Sequence, residues 1–210
     1  MPSSEKKPVA YRVETQRLVI RCWTPEDAPK MRALLDESDE FLRPWIPFMT
    51  HEPRTLWETA EWIRGMRGDF DRDANYRYPI FSKNEEELLG ETGLYTRAGP
   101  GAREIGYLLG KSAGGKGYAI EAAAAMTRIG FEVSAVDRIE IICAPENLAS
   151  AVIPEKLGYT HEATLPRRFT DCDGVMRDSM VWTLFASDYP RSQASDYYVT
   201  AYDCLGGKIM

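Results

Sequence analysis

Residues 104–122 read Glu104-Ile105-Gly106-Tyr107-Leu108-Leu109-Gly110-Lys111-Ser112-Ala113-Gly114-Gly115-Lys116-Gly117-Tyr118-Ala119-Ile120-Glu121-Ala122. The apolar run from Ile105 to Leu109 reads as a strand, and the glycines that follow cannot continue it. Beyond them Tyr118, Ala122, Ala125, Met126, Ile129 and Val133 recur at helical spacing. The four consecutive alanines Ala122 to Ala125 favour a helix packed closely on a sheet. A strand, a glycine-rich loop and a helix N-terminus together make an anion site, because free backbone N–H groups and the positive end of the helix dipole meet there. Two nucleotide motifs fail on these residues. Gly110-Lys111-Ser112 supplies the end of a Walker A loop while Ile105 stands where its first glycine is required. A dinucleotide fingerprint starting at Gly115 meets Ile120 at its last glycine position. A plain β-to-α turn with glycines at positive φ accounts for the same residues without any ligand.

Upstream, Thr15 to Ile20 reads as an opening strand. Thr24-Pro25-Glu26-Asp27 combines a capping hydroxyl, proline at the first helical position and an acidic first turn, so a helix is expected to about Glu37 with Met31, Leu34 and Leu35 inward. The proline-punctuated aromatic segment from Phe41 to Phe48 reads as a loop, and a second helix follows from about Thr55 to Asp71. Short apolar runs at Tyr78 to Phe81 and Leu88 to Tyr95, joined by the polar residues 82–87, read as a hairpin. Downstream come a strand at Arg138 to Cys143, a short helix near Ser150 to Leu157, and strands at Tyr159 to Leu165 and Val175 to Leu184. This order predicts α+β: a mixed, mostly antiparallel sheet flanked by helices.

The chain's 210 residues suit one domain. We divide it into a polar N-terminal extension (1–12), a main folded domain (13–187) and a C-terminal tail (188–210). The tail is aromatic, and its alternation through Tyr197, Val199 and Ala201 suits an edge strand docked on its own domain or on a second protomer near the final strands, which would make a homodimer. A net charge of −6 argues against duplex nucleic acid as a partner, and no apolar run is long enough to span a membrane. Cys22, Cys143, Cys172 and Cys204 lie far apart without C-x-x-C pairs, and His51 and His161 are the only histidines, so no metal is expected and a reducing cytoplasm is the expected home.

Glu104-Ile105-Gly106-Tyr107, Gly115-Lys116-Gly117-Tyr118-Ala119-Ile120-Glu121-Ala122, Asn147-Leu148-Ala149-Ser150 and Glu155-Lys156-Leu157-Gly158-Tyr159 occur in that order. In this the chain resembles the GNAT superfamily of acyl-CoA-dependent N-acyltransferases, and within it the branch of ribosomal-protein-alanine N-acetyltransferases and their small-molecule relatives. The resemblance covers about Glu14 to Leu184 and includes Thr15-Gln16-Arg17-Leu18-Val19-Ile20-Arg21 and Leu42-Arg43-Pro44-Trp45.

The resemblance implies transfer of an acetyl group from acetyl-CoA to a primary amine, either a protein N-terminal α-amine or a small-molecule amine, by direct attack in a ternary complex. It implies that Gly115, Lys116, Gly117, Tyr118 and Ala119 hold the pyrophosphate of coenzyme A. It further implies that the strand carrying Tyr107, Leu108 and Leu109 splays from its neighbour to admit the pantetheine arm, with Asn147 bonding that arm and Ser150 as proton donor to the leaving thiolate. A helix cap is the competing role for the Ser150 hydroxyl. Attack requires a neutral amine and hence a base, for which Glu104 is our first choice and Glu91 our second. A backbone N–H of Leu108 or Leu109 would meet the charge developing on the thioester oxygen. Trp45, Phe48 and Tyr76 are expected to line the acceptor site. Gly114 and Pro154 depart from the residues common in the family, and Pro166-Arg167-Arg168 stands where many relatives carry an acidic residue. The rival class is a non-catalytic acyl-CoA-binding or sensing module, against which Asn147, Ser150 and Glu104 argue.

Overall fold

The computed structural model describes residues 8–210. Nine strands, β1 (Arg12–Glu14), β2 (Leu18–Arg21), β3 (Tyr76–Ser82), β4 (Leu88–Tyr95), β5 (Ala102–Leu109), β6 (Arg138–Cys143), β7 (Thr160–Thr170), β8 (Met176–Phe185) and β9 (Thr200–Tyr202), form one open sheet. Four helices flank it: α1 (Ala28–Leu42), α2 (Leu56–Asp71), α3 (Tyr118–Arg128) and α4 (Leu148–Lys156). The order is β7-β8-β6-β5-β4-β3-β2-β1-β9, with every pair antiparallel except β5 and β6. That one parallel pair needs a long crossover, and α3 supplies it. The expected α+β mixed sheet is therefore what forms. Among the described residues no helix is long and apolar enough to cross a membrane.

The sheet buries both faces. Ala122 to Ala125 are fully buried, and with no side chain beyond Cβ they let α3 settle against Ile105, Ile139 and Ile141. On the opposite face α1 and α2 close over Leu108 through Met31, Leu34, Leu35, Ile63 and Met66. Helix α2 starts on a reciprocal cap, and α1 follows a short 3-10 turn, Pro25–Asp27, that carries one. Asp27 accepts from the Thr24 N–H (3.0 Å), and Thr55 and Glu58 exchange bonds of 3.2 and 2.8 Å.

Three local readings change. The opening strand is two strands, because the Thr15 hydroxyl accepts the Leu18 N–H (2.9 Å) and turns the chain back so that β1 pairs β2 antiparallel. Helix α1 runs past the polar residues 36–40 to Leu42, anchored by buried Ser38, whose hydroxyl accepts the Lys111 N–H (2.9 Å), and by buried Leu42. The helix from Tyr118 keeps α geometry to Arg128 and then widens into a π turn over Ile129–Val133.

Of the N-terminal extension, residues 1–7 lie outside the described residues, and Ala10 is buried beneath the Tyr78 hydroxyl, which donates to its carbonyl (2.9 Å). The tail does add an edge strand, but at the far end of the sheet from β7 and β8. Thr200–Tyr202 pairs Arg12–Glu14 along the outer edge of β1, with Val199 and Ala201 buried. The docking is within the chain and supplies no argument for a second protomer. Truncation after Pro190 is expected to cost more than about 2 kcal/mol, from the lost burial of Val199 alone, and to lower the melting temperature by several degrees with loss of amide protection at Tyr11, whose N–H donates to the Tyr202 carbonyl (2.8 Å). Unchanged stability and protection would show the strand to be an idle addition.

Candidate active site

Pairing between β5 and β6 runs from Ala102 with Arg138 to Ile105 with Ile141 and then stops, although β5 continues to Leu109 and β6 to Cys143. The strands part there, and a cleft of about 630 Å³ opens between them. Strand alternation fixes which backbone groups face the gap. The Gly110 N–H donates to the Leu89 carbonyl (2.9 Å) and the Gly106 carbonyl accepts the Thr92 hydroxyl (2.9 Å), so the even-numbered groups of β5 turn to β4. The odd-numbered groups, those of Tyr107 and Leu109, point into the gap. Of the two candidate donors to a thioester oxygen, the Leu109 N–H is on the open side and the Leu108 N–H is not.

At one end of the cleft lies the loop before α3. Gly115 and Gly117 sit at φ +73° and +78°, a region that favours glycine, and no atom lies within 4 Å of where a Gly115 Cβ would be. Arg17 reaches across from the turn between β1 and β2. Its Nη1 donates to the Lys116 carbonyl (2.9 Å) and its Nη2 to the Gly117 carbonyl (3.2 Å), while Nε pairs with Glu121 (2.6 Å) and the guanidinium lies over the Tyr118 ring. In a trans peptide the N–H points opposite to the C=O, so tying back these two carbonyls turns the N–H groups of Gly117 and Tyr118 outward. The first intrahelical bond of α3 is from the Glu121 N–H to Gly117, which leaves the Tyr118, Ala119 and Ile120 N–H groups without helical acceptors. This cradle fits a pyrophosphate: donors turned out, carbonyls turned away, and no side chain in the path at Gly115.

The cleft wall on the β6 side carries Cys143, Ala144, Asn147 and Ser150. Asn147, not Ser150, caps α4: its side-chain oxygen accepts the Ser150 N–H (3.2 Å). Its amide nitrogen is left for a ligand, and the Ser150 hydroxyl escapes the capping role. That hydroxyl donates to the Tyr107 hydroxyl (3.2 Å), which in turn donates to the Ser150 carbonyl (3.0 Å). Burial pushes the Tyr107 phenol well above its ordinary value, slightly offset by the bond from Ser150. Cys143 is also pushed up by burial, so its thiol stays protonated near neutral pH and is held back as a nucleophile.

The far side of the cleft holds the two carboxylates. Glu104 and Glu91, 7% and 3% exposed, share the α2-side face of the sheet, Glu104 opposite Tyr95 and Glu91 opposite Leu108. They are held differently. Both oxygens of Glu104 are taken by Arg97, whose Nε lies 2.7 Å from Oε2 and whose Nη2 pairs with Oε1. Glu91 receives the Arg77 Nε on Oε1 alone (2.7 Å), while its buried Oε2 has no hydrogen-bond partner. Burial pushes the Glu91 carboxyl above the usual range, opposed by the charge and hydrogen bond of Arg77 and, weakly, by the nearby Trp23 indole. Between the carboxylates the Tyr95 ring covers Gly106, where a Cβ would come within 2.9 Å of it, so the floor of the cleft is flat.

Trp45 and Phe48 line the cleft, Phe48 steadied by Trp62 with ring centres 4.9 Å apart. Opposite them Arg168 and Phe169 of β7 contribute, and the β7–β8 tip meets the loop where the Cys172 thiol lies 3.6 Å from the Ile46 carbonyl. Tyr76 is not in the cleft. Alternation along β3 turns it to the α3 side, where it packs edge-on against Phe70, and places Arg77 at the cleft instead. Arg77, Tyr95 and Arg97 were missed from sequence. Tyr95 shares the parity of Glu91 on one strand, which was signal enough to find it.

Comparison with known proteins follows the same lines. The family described as "Acetyltransferase (GNAT) domain" matches residues 17–160. Among similar proteins, ribosomal protein uS5-alanine N-acetyltransferase of Escherichia coli is 27% identical over 183 residues, covering 85% of this chain and 92% of that one. The uncharacterized N-acetyltransferase YnaD of Bacillus subtilis is 34% identical over 150 residues, covering 71% and 83%. Among solved structures, Mycobacterium smegmatis RimJ in complex with CoA-disulfide superposes with a TM-score of 0.74 over 91% of this chain and 93% of that one, at 22% identity, a likeness of fold.

Proposed function

This chain belongs to the GNAT acetyltransferase family and moves the acetyl group of acetyl-CoA to a primary amine, and from that premise we propose that its acceptor is the N-terminal α-amine of a polypeptide, with Glu91 as base. One observation carries the reading of the site: β5 and β6 part between a bare helix N-terminus on one side and a half-paired buried carboxylate on the other. The relative from E. coli, named as an alanine N-acetyltransferase of ribosomal protein uS5, supports the acceptor class.

The chemistry suits an α-amine. Its ordinary pKa of about 7.7–8.0, against about 10.4 for a lysine, leaves a useful neutral fraction at neutral pH. Acetyl-CoA supplies the acetyl group as a thioester. Backbone amides of Gly117 to Ala119 hold its pyrophosphate, and Tyr107, Leu109 and the Asn147 amide line its arm. As the amine nitrogen bonds to the acetyl carbon, Glu91 takes the amine proton directly or through water, and the Leu109 N–H faces the developing negative charge. Ser150, held by Tyr107, delivers a proton to the departing sulfur. A protonated Cys143 leaves no ready thiolate for a covalent relay, consistent with direct attack in one complex.

Thiol release from acetyl-CoA, measured across peptides with free N-termini and small amines, tests the acceptor class. Peptides are expected to be preferred, and turnover of small amines alone would overturn it. Ser150→Ala is expected to lower kcat about 10²-fold or more with little change in melting temperature, whereas Asn147→Ala removes the cap and costs about 1 kcal/mol of stability. A destabilised but fully active Ser150→Ala protein would return the hydroxyl to a structural role.

A further inference from the structure

A second cavity, about 590 Å³, lies on the same side of the sheet and shares Arg77, Tyr95 and Arg97 with the acetyl-transfer cleft. Its outer wall is one side of α2 and the residue just beyond it, carrying Arg64, Gly65, Gly68 and Arg72. Gly65 and Gly68 are less than one helical turn apart, and no atom lies within 4 Å of where either Cβ would be, so the wall is low and open there. Helix interiors disfavour glycine, and nothing packs on these two to require it.

In a chain of net charge −6 this groove is rich in guanidinium groups. Arg64, Arg72, Arg77 and Arg97 line it, each paired with a carboxylate, of which Asp69 lines the groove as well while Glu61, Glu91 and Glu104 lie outside its lining. The outer two arginines are engaged only loosely. Arg64 pairs with Glu61 at 2.6 Å and Arg72 with Asp69 at 2.7 Å, and all four side chains are well exposed, so an arriving carboxylate competes with pairs that are individually weak. Arg97, 63% exposed although bound to Glu104, stands at the boundary between the two cavities.

The cleft is bridged on another side, where the β7–β8 tip meets the loop at Ile46. The arm of the cofactor occupies the gap between β5 and β6. A chain whose amine reaches Glu91 therefore has its continuation across Arg97 as a lined way out. We propose that the second groove holds the residues that follow the acceptor amine in an acidic polypeptide, an inference that rests on the polypeptide reading above.

The test uses the full chain with acetyl-CoA and three peptides of equal length that share the same first two residues and differ downstream, acidic, neutral or basic, beside an amidated dipeptide of those two residues. The acidic peptide is expected to have the highest kcat/KM, chiefly through KM and with a marked salt dependence. In the double variant Arg64→Glu, Arg72→Glu, the ratio of kcat/KM for the acidic peptide to that for the dipeptide is expected to fall about tenfold, as for the loss of a few rim charges. Gly65→Leu, which fills the groove without adding charge, is expected to lower the same ratio and to leave the melting shift with CoA in place, showing that the fold survives. If all peptides are used equally and the variants do not move the ratio, the groove proposal fails while the polypeptide acceptor stands. If only small amines are acetylated, both fall.

Discussion

CoA at a hundredfold excess over its dissociation constant is expected to stabilise the wild-type protein by about 2.7 kcal/mol, a rise of roughly 5–10 °C in melting temperature for a chain of this size, and Gly117→Val is expected to abolish that rise. Gly117 lies at φ +78°, ψ 12°, immediately before the first turn of α3. A β-branched residue is strained there, and its Cβ would lie 3.4 Å from Nη2 of Arg17, the group that braces the loop, so the amides lose the geometry that turns them outward. Strain alone would lower the melting temperature without touching affinity, so a matched control is needed. Gly174, at φ +79° in the β7–β8 turn, has open space around it and lies away from the loop. Gly174→Val is expected to cost stability yet keep the full shift with CoA. If the two variants behave alike, or if Gly117→Val retains the shift, the cradle is not where the cofactor is held.

Glu91→Gln is expected to lower kcat/KM by about 10²–10⁴-fold and to remove the acidic limb of the pH–rate profile. The sign follows from the environment. A base works when ionised, so activity rises with pH as Glu91 loses its proton, and burial moves that rise above the range of an ordinary glutamate. Glu104→Gln is expected to have the smaller effect, because both oxygens of Glu104 are already engaged by Arg97. The reverse outcome, a limb kept by Glu91→Gln and lost by Glu104→Gln, would assign the base to Glu104, the first choice on sequence grounds.

The order of elements was legible because amphipathic period and turn residues changed together along the chain, most plainly at Leu109 to Tyr118. The junction of strand, glycine loop and helix N-terminus was legible for the same reason. What escaped reading depends on partners distant in sequence. Ranking Glu91 against Glu104 turns on Arg77 and Arg97, which lie 14 and 7 residues away from them and take one carboxylate oxygen in the first case and two in the second. Tyr76 was assigned to the acceptor site for being aromatic, yet a single residue of strand parity decides between it and Arg77. The tail was read correctly as an edge strand, but an edge strand carries no address in its own sequence. Its place beside β1 and not on the open edge of β7 goes with the apolar cluster in which Val199 and Ala201 join Ala10 and Val13.

On the proposed reading of the glycine loop, the brace from Arg17 makes cofactor capture a property of the whole topology. A fragment running from β5 through α3 to β6 would contain every glycine of the loop and the dipole behind it. Its Lys116 carbonyl, though, would be free to swing toward an arriving phosphate and repel it, and the Gly117 carbonyl would keep only its bond from the Glu121 N–H. The guanidinium that holds them back belongs to a residue 99 and 100 positions earlier. Closing a contact of that span demands a large loss of chain entropy before any return, so it forms only when the first hairpin has joined the sheet. Affinity for CoA thus counts the molecules that have completed their topology, and a chain with a folded centre but an undocked beginning would pass a test of helix content and fail a test of binding.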